Sequence, residues 1–158
     1  IERWSYNLET YFLAQRFEDL IDISKSDDVI IQDRTILEGV YIFVANNKAM
    51  GNLSYRDFDT YMHLFRLMMS LVRQPDLLIY LKSSVPHLVS QIQKRGRDYE
   101  KSISIEYLNN LNERYDEWID SYDGKVLVIE ADELDFENRP EDFSLITDKI
   151  DAHLYGLF

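Results

Sequence analysis

Cysteine is absent from the 158 residues, so neither a disulfide framework nor thiol chemistry is open to this chain. That absence fits a reducing compartment, and a cytoplasmic location is the expectation. Histidine is scarce, and His63, His87 and His153 lie far apart, with no pair at the helical spacing of a zinc site. Apolar runs are only a few residues long, far short of a membrane span. Positive charge is also in deficit: the formal net charge is −12. So acidic a surface repels a polyphosphate backbone or an anionic membrane, so neither nucleic acid nor membrane is an expected partner. A small anionic ligand remains possible, because it needs only a local cluster of Arg. What the chain does have is aromatic and apolar side chains, 13% and 46% of residues, enough for a substantial core and against disorder.

Helical and strand patterns alternate along the chain. Arg3 to about Asp22 carries Trp4, Leu8, Tyr11, Phe12 and Phe17 at roughly helical spacing. This helical pattern starts abruptly, with no cap before it, which points to upstream sequence. Val29-Ile30-Ile31 predicts a short strand buried on both faces. Ile36 to about Lys48 predicts a helix with Ile36, Val40, Tyr41 and Val44 on one side, broken at Met50-Gly51-Asn52. Ser54, with Asp57 three residues on, caps a further helix whose wide apolar face runs from Tyr55 to Val72.

After the Pro75-Asp76 turn, Leu77 to Leu81 predicts a second buried strand. Ser84 and Pro86 open a helix to about Lys94, and a charged loop runs from Arg95 to Lys101. A helix with Leu108, Leu111, Tyr115, Trp118 and Tyr122 in register follows. Val126 to Ile129 predicts a third strand, and a last helix runs from about Pro140 to Leu154. Strands alternating with helices imply an α/β fold, a parallel sheet flanked by helices. Three strands are few for such a sheet, so one or two more are expected upstream. With no linker or repeat, residues 1–158 are expected to form a single domain.

Ligands of open α/β sheets bind beyond the carboxyl ends of the strands. Asp33-Arg34-Thr35 follows the first strand directly. It is either an ordinary cap with a surface Arg, or an Arg held to meet an anion beside an Asp that orients a metal. Arg95-Gly96-Arg97 is either a solvated turn or a pair of guanidiniums able to clamp phosphate oxygens and stabilise a transferring phosphoryl group. The acidic stretch Glu130 to Glu137 has the composition of a solvated loop. No G-x-x-x-x-G-K-[ST] or G-x-S-x-G occurs.

In order, these pieces resemble the deoxynucleoside kinase family, over essentially the whole chain. Arg3-Trp4-Ser5-Tyr6-Asn7-Leu8-Glu9-Thr10-Tyr11-Phe12 is similar to its nucleoside-binding helix. Asp33-Arg34-Thr35 with Tyr41-Ile42-Phe43 is similar to its [DE]-R-S motif and following helix. Arg95-Gly96-Arg97-Asp98-Tyr99-Glu100 is similar to its lid, and Asp135-Phe136 to its adenine-contacting loop.

The resemblance implies a P-loop kinase fold, a homodimer, and transfer of the γ-phosphate of Mg-ATP to a deoxyribonucleoside 5′-hydroxyl in nucleotide salvage. It implies that Arg34 sits near the 5′-oxygen and phosphates, that Asp33 helps hold Mg²⁺, and that Arg95 and Arg97 clamp the phosphoryl group. Glu100 would accept from the sugar 3′-hydroxyl. Trp4 and Phe43 would pack on the base, Glu9 and Arg16 would reach its polar edge, and Arg95, Asp135 and Phe136 would serve ATP. The family's N-terminal strand, Walker A loop, catalytic Glu and sugar-binding Tyr precede the position of Ile1. The domain is therefore expected to be N-terminally incomplete, and these residues alone to be inactive.

Departures from the family pattern carry information too. Glu9 stands where the family often has Gln, Gly39 where some members have an acid, and Gln91 where some have a third lid Arg, with Lys94 as a partial substitute. A carboxylate accepts both N1–H and N2–H of guanine, while an Arg fork matches O6 and N7. Glu9 and Arg16 therefore favour a purine, deoxyguanosine first and deoxyadenosine second. Two alternatives remain at this level: a nucleotide kinase such as thymidylate kinase, and a non-catalytic subunit or binding module of the same fold. Glu100 argues against an anionic acceptor. The Tyr55–Val72 and Ile36 helices are the natural dimer surface.

Overall fold

The computed structural model describes residues 2–100 and 102–156, with side chains from Trp4 onward. Ile1, the Arg3 side chain and Lys101 of the charged loop lie outside the described residues. The chain folds as two compact units, Ile1–Gln74 and Pro75–Phe158.

The first unit is helical. Helix α1 spans Glu2–Ile23. After a loop, Thr35 caps α2 (Ile36–Glu38), which widens into a π-helical stretch, Gly39–Val44, and returns to α geometry in α3 (Ala45–Ala49). The expected single helix over 36–48 is thus continuous but locally widened, a form that recurs at functional sites. Met50 ends it, and Gly51 turns the chain at φ 75°, a left-handed conformation that glycine adopts without a Cβ clash. Helix α4 (Tyr55–Met69) starts as expected, with the Ser54 hydroxyl accepting from the Asp57 amide, and stops three residues before Val72. Leu13, Leu20, Ile36, Leu37, Val40, Ile42, Val44, Tyr61 and Phe65 form the buried core of this unit. Tyr41 points outward instead and meets Phe65 edge-on.

The second unit holds a parallel strand pair, β1 (Leu78–Lys82) and β2 (Val126–Glu130), in register from Leu78 opposite Val126 to Lys82 opposite Glu130. The crossover between them carries α5 (Val85–Arg95), a 3₁₀ turn (Asp98–Glu100) and α6 (Ile105–Asp120); α7 (Pro140–Tyr155) follows β2 and packs against it. Leu127, Ile129, Leu78 and Trp118 are the buried apolar core. Tyr80 stacks on Tyr115 with centroids 5.7 Å apart, and Trp118 bridges Tyr115 to Tyr122.

The parallel α/β class is as expected, but two strand expectations need correction. Val29-Ile30-Ile31 is not a strand: Val29 and Ile31 are 80% and 89% exposed, and neither β1 nor β2 pairs with them. A strand exists through its ladder of hydrogen bonds, so an apolar run without a paired neighbour stays irregular. Nor are the two real strands buried on both faces. Ile129 is 1% exposed while Val128, pointing the other way, is 41% exposed, the alternation of a sheet covered on one face. Among the described residues no helix is long and apolar enough to cross a membrane.

Trp118 anchors the aromatic cluster of the second unit. Trp118→Ala should lower unfolding stability by about 3 kcal/mol, measured by denaturant titration; a loss under about 1 kcal/mol would show that the cluster repacks without it.

Candidate active site

In the first unit the candidate residues gather around the start of α2 and the middle of α1. The cap at 35 is a capping box: the Leu37 amide donates to Thr35 Oγ1 at 3.1 Å, and the Thr35 amide donates to the Glu38 carboxylate. Thr35, not Asp33, is therefore the cap. Arg34 sits just before it at φ 61°, the sole non-glycine residue in the left-handed region among the described residues. An L-residue there is strained unless its surroundings hold it.

Arg16 supplies the hold. Its Nη1 donates to the carbonyls of Asp33 at 2.9 Å and Arg34 at 2.7 Å. The Arg34 guanidinium then lies 5.4 Å from the centre of the Phe43 ring, within cation–π range. Spacing gave no signal for this grip, which joins positions 17 and 18 residues apart. An open groove of about 360 Å³ borders it, lined by Arg16, Asp19, Asp22, Ile30 and Asp33 among others.

Glu9 is 8% exposed. Its Oε1 accepts from Asn47 Nδ2 at 2.8 Å. Burial holds the Glu9 carboxyl above its ordinary value, with the Asn47 hydrogen bond pulling the other way. Tyr61, almost fully buried, is raised by burial and by the Glu9 charge. Its hydroxyl is the nearest group to the place where a side chain at Gly39 would begin, 3.7 Å from an added Cβ. Trp4 is exposed on α1. Glu9 and Arg16 do not act as one pair here: one is held by an amide, the other holds a loop. Nε and Nη2 are the Arg16 donors left for other acceptors.

In the second unit the lid residues converge. Helix α5 ends at Arg95, and Gly96 closes it in a left-handed C-cap at φ 68°. The chain then doubles back through the 3₁₀ turn to Glu100, which is 7% exposed. Arg95 grips the Glu100 carboxylate bidentately, Nε to Oε2 at 3.0 Å and Nη2 to Oε1 at 2.8 Å. Arg97 Nη1 lies 3.7 Å from the same carboxylate and donates to the Tyr99 hydroxyl at 3.0 Å. Both guanidiniums remain half-exposed, with donors free for an anion. Gln91 meets His87 at 3.0 Å.

The acidic loop is more organised than its composition suggests. The Asp135 carboxylate accepts from the Asn138 side chain at 2.7 Å, and its amide donates to Asp142 at 2.7 Å, which leaves Phe136 exposed at the turn. Asp132, which sequence reasoning placed among solvated acids, ties the ends of the two strands together. Its Oδ1 accepts from the Ser83 hydroxyl at 2.7 Å and the Ser84 amide at 2.9 Å. Hydrogen bonds from Ser84 and Ser83 pull its carboxyl down to about 2. Its position at a strand's carboxyl end was the available signal.

With this geometry in place, comparison with known proteins is decisive. The family model described as "Deoxynucleoside kinase" matches residues 1–155. The chain belongs to the deoxynucleoside kinase family. The deoxyadenosine/deoxycytidine kinase of Bacillus subtilis (strain 168) is 34% identical over 152 residues, covering 94% of this chain and 70% of that protein. The deoxyguanosine kinase of the same organism is 30% identical over 162 residues, covering 99% and 75%. A deoxyadenosine kinase from M. mycoides, solved with dCMP and a flexible dCDP bound, superposes with a TM-score of 0.79 at 29% identity, covering 96% of this chain and 76% of that one. The P-loop kinase fold and deoxynucleoside kinase activity are those of this family.

The family implies magnesium. Among the described residues no three possible ligands cluster. Mg²⁺ in kinases keeps several waters and takes one or two carboxylates, with phosphates supplying the rest. Asp33 is exposed, beside Arg34, and its carboxylate accepts from no described residue, so it fits as one such ligand.

Ionised Glu9 opposes folding, because burial penalises its charge. Its folded value lies above its unfolded one, so stability is lost as pH rises from the ordinary carboxyl range through the raised value. Glu9→Gln should therefore be more stable than the parent at neutral pH and lose that advantage in acid. Denaturant melts across that range check it, and equal stability at neutral pH would contradict it.

Proposed function

We propose that this deoxynucleoside kinase phosphorylates purine deoxyribonucleosides, deoxyguanosine in preference to deoxyadenosine, at the 5′-hydroxyl with Mg-ATP, in the cytoplasm and as a homodimer. The observation that carries the base preference is Glu9: a buried carboxylate with one oxygen fixed by Asn47. When ionised it only accepts, which matches N1–H and N2–H of guanine and opposes N1 of adenine or N3 of cytosine. Gly39 supports the reading by adding no side chain beside Tyr61. The remaining donors of Arg16 serve O6 and N7, and Trp4 and Phe43 pack on the base. The relatives divide between deoxyguanosine and deoxyadenosine/deoxycytidine kinases, so identity alone does not choose.

Arg34 is the residue for the reacting oxygen and the phosphates, since Arg16 and the Thr35 cap hold it at a defined place. Arg95 and Arg97 stabilise the charge of the transferring phosphoryl group, and Glu100 accepts from the 3′-hydroxyl. Asp135 and Phe136 serve the adenine of ATP. Asp33 would help hold Mg²⁺, which would offset the negative charge of the phosphates. Residues 1–158 hold no Walker A loop, so by themselves they are expected not to turn over. Exposed Tyr55 and Leu67 on α4, with Leu71 just beyond its end, support a dimer surface there.

The test is a panel of nucleosides with the full-length protein. Deoxyguanosine should have the highest kcat/KM and gain with rising pH, as Glu9 ionises. Glu9→Gln should cut the deoxyguanosine-to-deoxyadenosine ratio about tenfold or more. A strong preference for deoxycytidine or thymidine overturns the guanine reading, as does an unchanged ratio in Glu9→Gln.

A further inference from the structure

Behind Glu9 lies a short chain of side-chain amides. Asn47 Nδ2 donates to Glu9 Oε1 at 2.8 Å, and Asn47 Oδ1 accepts from Asn52 Nδ2 at 3.2 Å. Asn52 reaches back because Gly51 takes its left-handed turn, and the Asn52 amide also donates to the Asn47 carbonyl at 2.9 Å. An amide can present either end to a neighbour, but an ionised carboxylate accepts only, so Nδ2 must face Glu9. The other end then needs a donor, which Asn52 is. No described residue donates to Glu9 Oε2.

We propose that Asn47, locked by Asn52, is a positioning residue for nucleobase selection: it fixes one oxygen of Glu9 so that the other meets the base. The inference rests on Glu9 reading the base.

Other charged groups on the elements around Glu9 have different occupations. Arg16 on α1 holds the carbonyls of Asp33 and Arg34, and Glu38 on α2 accepts from the Thr35 amide. The π-helical stretch brings the Tyr41 hydroxyl and no acid or base besides. On α3 the Lys48 ammonium lies 3.0 Å from the centre of the Tyr55 ring. On α4 Arg56, Asp59, His63 and Arg66 are exposed, Asp57 belongs to the Ser54 cap, and Tyr61 is the ionisable group coupled to Glu9. Asn47 is thus a neutral partner that stabilises the accepting form of Glu9 without cancelling its charge, as a Lys or Arg would.

The experiment measures kcat/KM against pH for deoxyguanosine and deoxyadenosine in the full-length protein, its Asn47→Leu and Glu9→Gln variants, and the double variant. Asn47→Leu should lower the deoxyguanosine-to-deoxyadenosine ratio about tenfold, mainly through KM, the scale of one hydrogen bond to a charged group. It should also move the acidic limb of the deoxyguanosine profile to higher pH, because the bond that favours the ionised form is gone. With Gln already at position 9, Asn47→Leu should leave the ratio within about twofold. If Glu9→Gln collapses the ratio while Asn47→Leu moves neither ratio nor limb, the positioning role is overturned and the base reading stands. If Glu9→Gln leaves the ratio unchanged, the base reading fails and this inference with it. Should Asn47→Leu not fold, Asn52→Ala decides: about a threefold fall in the same ratio supports the relay, and no change overturns it.

Discussion

A carboxylate in the interior of a helical unit must be held by donors or neutralised, because burial penalises its charge. Much of the first unit is arranged around that constraint at Glu9. The widened helix between Gly39 and Val44 runs on into α3, which presents Asn47 to the carboxylate. The Gly51 turn returns Asn52 to support Asn47, and α4 brings Tyr61 alongside. Each of these is a local device, and together they keep an acceptor in a place where an apolar side chain would be more stable. Keeping such a group against stability is what the proposed base-reading role of Glu9 would require.

A second theme is arginine in two kinds of service. Arg16 and Arg95 each hold something in place through paired contacts: Arg16 a strained loop, Arg95 the buried Glu100. Arg34 lies in the loop that Arg16 holds, and Arg97 lies beside the same Glu100 carboxylate. A planar guanidinium suits both tasks, since its donors form a fixed fork and its charge persists at every relevant pH.

Much of this was legible in the linear pattern. The Ser54 and Ser84 caps, the helices of both units and the two paired strands follow from local rules of capping and periodicity. The motifs that carry the family, from Trp4 to Phe136, were recognisable by their joint order and spacing over essentially the whole chain. Val29-Ile30-Ile31 misled, since a β-branched run states a preference for extended backbone and says nothing of a neighbour to pair with.

Residue type and local spacing thus determined which segments are helical and roughly where they stop, and picked out the candidate side chains, because these depend on neighbours within a few positions. Only the tertiary structure decided what those side chains do to one another. Asn47 on Glu9, Arg16 on the carbonyls before Thr35, and Asp132 on Ser83 and Ser84 join positions 17 to 49 residues apart. Such contacts arise from the packing of one helix or strand against another, and no local period records them.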